Sequence, residues 1–310
     1  MADPLPAKAP RDGIVLLDPR AAAIFASGAP LRRLATGARW SEGPVWIDES
    51  QSVLWSDIPN DRILRWSASE GLAVWQQGVE FTNGHARDAS GGVLHCSHGL
   101  RAVYRTGIEP GARTILVDRY RGKRFNSPND VVVKSDGTIW FTDPPYGLLV
   151  AEEGHGGVAE LDDCHVFRFD PATGDVTAVT GLPHHPNGLA FSPDEALLYV
   201  SDTAAALPGH GPQHCIFVFD VVAGERLANG RVFAEITPGV PDGFRVDTDG
   251  RIYTSASDGV HVLDPDGTTL ALIPVPEKVG NVCFGGAARN TLFIAASTSL
   301  YAIELAVRGC

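Results

Sequence analysis

Six times along the chain a polar residue opens an aliphatic run, and that recurrence restricts the fold more than any other feature. The segments are EGPVW from Glu42, NGHAR from Asn83, NDVVV from Asn129, NGLAF from Asn187, DGFRV from Asp242 and NVCFG from Asn281, with spacings of 41, 46, 58, 55 and 39 residues. A second β-rich run follows each anchor by 10 to 12 residues: LWSD from Leu54, VLHCS from Val93, IWFTD from Ile139, LYVSD from Leu198, IYTSA from Ile252 and LFIAA from Leu292. Turn chemistry lies between the runs, as in Ser135-Asp136-Gly137, Ser192-Pro193-Asp194 and Thr248-Asp249-Gly250. Third runs come next, such as RILRW from Arg62 and CIFVF from Cys215, with weaker fourth runs in most units. Four short strands per unit make the blade of a β-propeller.

Six anchors predict an all-β, six-bladed β-propeller with four-stranded blades. The last unit ends after Leu305 without a fourth strand, whereas LRRLATG (31–37) precedes the first anchor with no blade of its own. The two facts fit if that N-terminal segment closes the ring. The expected organisation is an N-terminal extension over 1–30 and a single propeller domain over 31–310. A sandwich would also space its strands evenly, but it gives no reason for the same anchor chemistry in every unit.

Composition narrows the partners. With 25 Lys+Arg against 37 Asp+Glu the net charge is −12, and no basic cluster is available for phosphate backbones or anionic lipid. No nucleic-acid partner is expected, and no membrane partner, since no run approaches the 18 apolar residues of a bilayer span. The N-terminal MADPLPAKAPRDG carries prolines and charges where a signal peptide has an apolar core. Five widely spaced cysteines, Cys96, Cys164, Cys215, Cys283 and Cys310, form neither a disulfide framework nor a C-x-x-C zinc pair. A cytoplasmic protein with reduced thiols, monomeric or weakly dimeric, is the expectation.

In a propeller the innermost strands start beside the central channel, so the six anchors converge on one face. Two carboxylates and up to four amides then offer hard oxygen donors, which suit Ca²⁺ or Mg²⁺. The two longest spacings place extra length between second and third strands, over 144–163 and 203–214, and both insertions should overhang that face. Asp57, Asp143 and Asp202 end second strands there, and His98 follows another. The His184-His185 pair, just ahead of Asn187, is a candidate pocket lining. Serine-hydrolase elbows, zinc-protease helices, phosphate loops and EF-hand patterns are missing from the sequence.

At SEGPVW, FNSPNDVVVKSDGTIWFTDPPYG, HPNGLAFSPD and PDGF the chain resembles the gluconolactonase family of six-bladed propellers, to which regucalcin also belongs. The resemblance covers 31–305, and RFNSPND followed by FTDPPYG points to the bacterial gluconolactonase branch. It implies one divalent ion in the channel, Ca²⁺ foremost, with Zn²⁺, Mn²⁺, Mg²⁺ or Fe²⁺ as alternatives. Glu42, Asn187 and Asp242 would be its ligands by motif, and Asn129 a ligand or substrate contact. Asn83, His98, Asp143, Tyr146 and Asp202 are the other expected substrate contacts. At Ser127 the chain departs from regucalcin-like members, which carry Arg two residues before that Asn.

The implied reaction is metal-dependent hydrolysis of a sugar lactone such as glucono-1,5-lactone, with Asp242 as general base on water. The alternatives are another lactone or ester (xylonolactone, an organophosphate) on the same ion, or a non-catalytic calcium-binding propeller.

Overall fold

The computed structural model describes residues 13–310, so residues 1–12 of the expected extension lie outside the described residues. Six antiparallel sheets stand around a channel, each built outward from its first strand. The inner strands are Ser41–Ile47, Thr82–Arg87, Val131–Val133, Pro186–Phe191, Phe244–Val246 and Val279–Gly285. Each lies beside the next, and the sixth lies beside the first. We number the blades one to six in that order.

The expected closure holds. Arg32–Thr36 is the outer strand of blade six, antiparallel to Ser299–Glu304, with Arg32 opposite Ala302 and Thr36 opposite Ser299. Sharing a blade between the two chain ends ties them together and pairs the strand Ser299–Glu304, which would otherwise be the edge. Side-chain packing reinforces the seam: Trp46 of blade one stacks on Phe293 of blade six at 5.4 Å, and Trp66 tilts against the same ring at 6.3 Å.

The segment ahead of the closing strand is also docked. Val15–Leu16 adds a fifth strand to blade five beside Thr269–Pro274. Ile14, Ala21, Ile24 and Phe25 are buried in the apolar cluster between blades five and six. At the other terminus, Gly309 bridges Asp247, and the Cys310 N–H donates to the Val246 carbonyl at 3.1 Å. All five cysteines are free thiols, four of them buried. Among the described residues no helix is long and apolar enough to cross a membrane.

One polar feature sits inside this core. His85 and His95 of blade two meet through their Nδ1 atoms at 2.8 Å. Ser56 Oγ donates to the Asn83 carbonyl at 2.7 Å, so His85 Nε2, 2.9 Å away, must donate to Ser56. His85 Nδ1 then accepts from His95. Burial holds His85 at about 3 and keeps His95 well below the ordinary imidazole value.

Two outcomes follow. Phe293→Ala should cost about 3–5 kcal/mol in denaturant-unfolding free energy, because the cavity opens at the seam where the ring closes. The histidine pair should make the fold acid-sensitive. Its folded-state values lie below the unfolded ~6.5, so the unfolded chain binds protons that the native state refuses. The stability is complete above pH ~6.5 and is lost as pH falls towards the folded values. Melting temperature against pH should therefore drop less steeply below pH ~6.5 in the His85→Gln, His95→Gln double variant than in the wild type.

Candidate active site in the central channel

The anchors leave regular strand geometry where they enter the channel. Strand pairing skips from Glu42 to Val45, from Thr82 to His85 and from Pro186 to Leu189, so Gly43-Pro44 directly after the anchor of blade one and the anchor-glycine pairs of blades two and four form β-bulges. Bulges re-aim side chains, and here they turn the anchors off the sheet face. The glycine is required by crowding: a Cβ on Gly43 would sit 2.3 Å from the Asn83 carbonyl, and one on Gly188 2.4 Å from that of Asp242.

The Ser/Thr-Asp pairs that end LWSD, IWFTD and LYVSD fix these bulges from two directions. The hydroxyl reaches the next blade. Ser56 donates to the Asn83 carbonyl at 2.7 Å, Thr142 to that of Asn187 at 2.6 Å and Ser201 to that of Asp242 at 2.8 Å. The carboxylate stays in its own blade and accepts the N–H groups three and two residues ahead of the anchor. Asp57 takes Arg39 and Trp40 (2.8 and 3.5 Å), Asp143 takes Asn126 and Ser127 (both 2.8 Å), and Asp202 takes His184 and His185 (2.7 and 3.1 Å).

Asp143 and Asp202 were expected among the substrate contacts. Both are fully buried, and every carboxylate oxygen already accepts a backbone N–H. They hold the backbone ahead of their anchors in place. Burial pushes Asp143 up to about 7 despite its two N–H donors.

Two anchor amides are oriented by neighbours. His98 Nδ1 lies 2.9 Å from the Glu153 carbonyl, which can only accept, so the proton is on Nδ1 and Nε2 is left as an acceptor. Asn83 Nδ2 approaches that Nε2 at 3.4 Å, and Asn83 Oδ1 remains buried without a partner. Burial holds His98 down at about 4, so it is neutral at pH 7. His98 is thus a support for Asn83, with both ring nitrogens occupied, rather than a group free to meet substrate. In the same way Asn187 Nδ2 faces Thr203 Oγ1 at 3.4 Å, and that oxygen is bonded to the Tyr146 hydroxyl. Tyr146 also acts through a neighbour. Tying back the nitrogen leaves the amide oxygen of Asn187 for a bound group.

The sixfold pattern breaks in blade three and blade six. Where blades one, two, four and five carry glycine after the anchor, blade three has Asp130, which is 1% exposed. Arg245 grips it with Nη1 and Nη2 at 3.2 and 3.4 Å, and Asn281 Nδ2 adds a long contact at 3.4 Å. Asn281 Oδ1 accepts its neighbour's N–H from Val282 at 2.8 Å, so this anchor offers no oxygen to the ring. Sequence reasoning passed over Asp130 and Arg245, although an acid in a position that is otherwise glycine was a visible signal.

Both insertions lie over the anchor face. The blade-three loop crosses the channel mouth: Glu152 pairs with Arg39 of blade one at 2.5 Å, and His155 with Glu80 of blade two at 2.8 Å. It carries a further carboxyl, Glu153, pushed up to about 7 by burial and by Asp242, with Lys278 acting the other way. Lys278 itself sits over the Trp40 ring at 5.1 Å. Neither Glu153 nor Lys278 belongs to a repeat motif, and only the folded loops bring them to the mouth.

The electrostatics of the ring are lopsided. Glu42 is 3% exposed; Oε2 accepts the Gly43 N–H at 3.1 Å and Oε1 has no partner among the described residues. Burial, then Asp242 and Asp130, push its carboxyl well above the ordinary range. Burial also pushes Asp242 upward, with Asp130 adding to it while Lys278, Asn187 and Glu42 oppose. Two facing acids, Glu42 buried and Asp242 half-buried, with a partnerless oxygen on Glu42, make a set that a hard divalent cation would satisfy. Glu42, Asn187 and Asp242 fit that role, and Asn129, the blade-three anchor at 3% exposure, is the other expected ligand. Among the described residues no three His, Cys, Asp or Glu side chains share a metal-holding arrangement, so a softer transition-metal cage is not built.

Comparison with known proteins agrees with this geometry. Residues 40–298 match the family model described as the SMP-30/gluconolactonase/LRE-like region. A gluconolactonase of Zymomonas mobilis is 32% identical over 94% of this chain and 85% of its own length. A pentonolactonase of Haloferax volcanii is 28% identical over 85% of this chain and 83% of its own. A solved Xanthomonas campestris structure, described as a gluconolactonase of secondary glucose metabolism, superposes with a TM-score of 0.88 at 39% identity, covering 95% of both chains. With the match running over 40–298, a range that spans all six anchors, the chain belongs to the SMP-30/gluconolactonase/LRE-like family.

Proposed function

We propose that this chain, a lactonase-type hydrolase of that family, opens sugar lactones with a divalent cation held by Glu42, Asn129, Asn187 and Asp242, glucono-1,5-lactone being the first substrate to test. The observation that carries the reading is a pair of facing carboxylates, Glu42 buried and Asp242 half-buried, beside amide oxygens whose nitrogens are tied back. When bound, the cation supplies Lewis-acid polarisation of a carbonyl.

The chain's own residues do the rest. Asp242 is the one ring carboxylate with appreciable exposure, whereas Glu42 is sealed. It is therefore placed to take a proton from water at a carboxylate oxygen. Its modest basicity suffices for an activated ester. Asn83 Oδ1 is an open acceptor for a sugar hydroxyl, held in position by His98. The loop that carries Glu153 covers the mouth and limits bulk water there.

Hydrolysis of glucono-1,5-lactone followed by pH-stat, corrected for spontaneous opening, tests the reading. Activity should disappear with a chelator and return with added Ca²⁺ or Mn²⁺; full activity in excess chelator would refute the cation. Glu42→Gln and Asn187→Ala should weaken Ca²⁺ binding in calorimetry while the fold persists. Asp242→Asn separates ligand from base. At saturating cation it should stay slow by roughly 10²–10⁴ in kcat, the worth of a positioned base. Recovery to wild-type turnover would leave Asp242 as a ligand alone.

A further inference from the structure

A second cavity of about 380 Å³ opens on the same face, outside the ring and between blades three and four. Its walls come from the loop over the channel mouth, from the connection into the inner strand of blade four, and from His210 on that blade's long loop. Two lining groups are buried polar atoms with no partner among the described residues, Asn126 Oδ1 and His185 Nδ1. Asn126 is 2% exposed and His185 5%. The Asn126 amide cannot turn over to relieve this, because Nδ2 faces the Asp143 and Asp163 carbonyls, each at 3.3 Å. An acceptor kept dry and unpaired is costly, and it is satisfied when a ligand brings a donor.

The rest of the lining selects among ligands. Among the described residues no Lys or Arg lines the cavity, whereas Asp162 and Asp163 do, so it disfavours anions. Leu149 and Leu161 give one apolar side. Acceptors at the edge and an apolar wall fit a neutral ring with hydroxyl donors around its rim and C–H groups on its face. The volume lies at the small end of the ~300–1,000 Å³ typical of ligand sites.

The cavity is joined to the ring by short covalent and packing links. Asn126 is three residues ahead of Asn129, and His185 two ahead of Asn187. Tyr146 packs edge-on against His185 at 5.8 Å, and its hydroxyl meets Thr203, the partner of Asn187. We propose that this cavity is a subsite for a neutral hexosyl ring, so that the substrates include aldonolactones bearing a glycosyl substituent. The second half rests on the lactonase reading; the first does not.

The test pairs kinetics with binding. kcat/KM is measured for glucono-1,5-lactone and for its 4-O-glucosyl derivative, and methyl β-glucoside binding is followed by ligand-observed NMR. Both are repeated in Ala159→Trp, which fills the cavity from an exposed loop position, and in His210→Ala. The wild type should bind the glucoside, and the ratio of glucosylated to plain lactone kcat/KM should fall about tenfold or more in Ala159→Trp. His210→Ala should weaken glucoside binding in the same direction. Absence of glucoside binding by the wild type would overturn the subsite. Glucoside binding that Ala159→Trp abolishes, with an unmoved kinetic ratio, would overturn the glycosyl-lactone half and leave a site for free saccharide. Failure to hydrolyse either lactone while the glucoside still binds would overturn the lactonase reading alone.

Discussion

The site depends on a clamp of two adjacent residues, a hydroxyl and a carboxylate at the end of a second strand. In blades one, three and four the carboxylate gathers the two N–H groups ahead of its own anchor, while the hydroxyl holds the next blade's anchor by its carbonyl. Charge-assisted bonds to backbone N–H are among the stronger hydrogen bonds a protein makes. They are spent here on segments that bulge away from sheet pairing and would otherwise be loose. Blades one, three and four therefore each fix the anchor of the blade that follows.

Closure in turn depends on the chain termini. Arg32–Thr36 completes blade six, and Trp46 stacked on Phe293 packs the first blade against the last. The second N-terminal strand and the returning C-terminal tail add ties on blade five. A ring closed in this way forces like charges together at its axis. Glu42, Asp242 and Asp130 all reach the channel, and Arg245 answers only Asp130. The remaining two acids are the electrostatic reason to expect a cation, and burial, before any neighbouring charge, drives both carboxyls upward.

Supports outnumber contacts in this site. His98, Tyr146, Asp143 and Asp202 are buried polar residues on the right face, which is the profile of a substrate contact in a sequence. Each has its polar atoms committed to another residue. Asn83 and Asn187, by contrast, are turned so that the oxygen is left over. Sequence position tells which face a residue reaches; it does not tell whether its hydrogen-bonding capacity is already used.

The repeat determined the fold, because period, turn chemistry and a missing last strand are properties of the chain alone. It also placed Glu42, Asn129, Asn187 and Asp242 around one axis, since identical positions in identical blades must converge. What it could not assign was anything set by contact between distant loops. Glu153 reaches the ring only because its loop crosses from blade three to blades one and two, and it meets the charge of Lys278, which lies over Trp40 at the mouth. Asn281 shares its amide with three other anchors and differs because Asp130, 151 residues away, meets its Nδ2 while its Oδ1 accepts the Val282 N–H. Local pattern fixes the backbone frame. The direction of an amide, the pairing of a buried acid and the wall of a pocket are decided by neighbours that only the closed ring supplies.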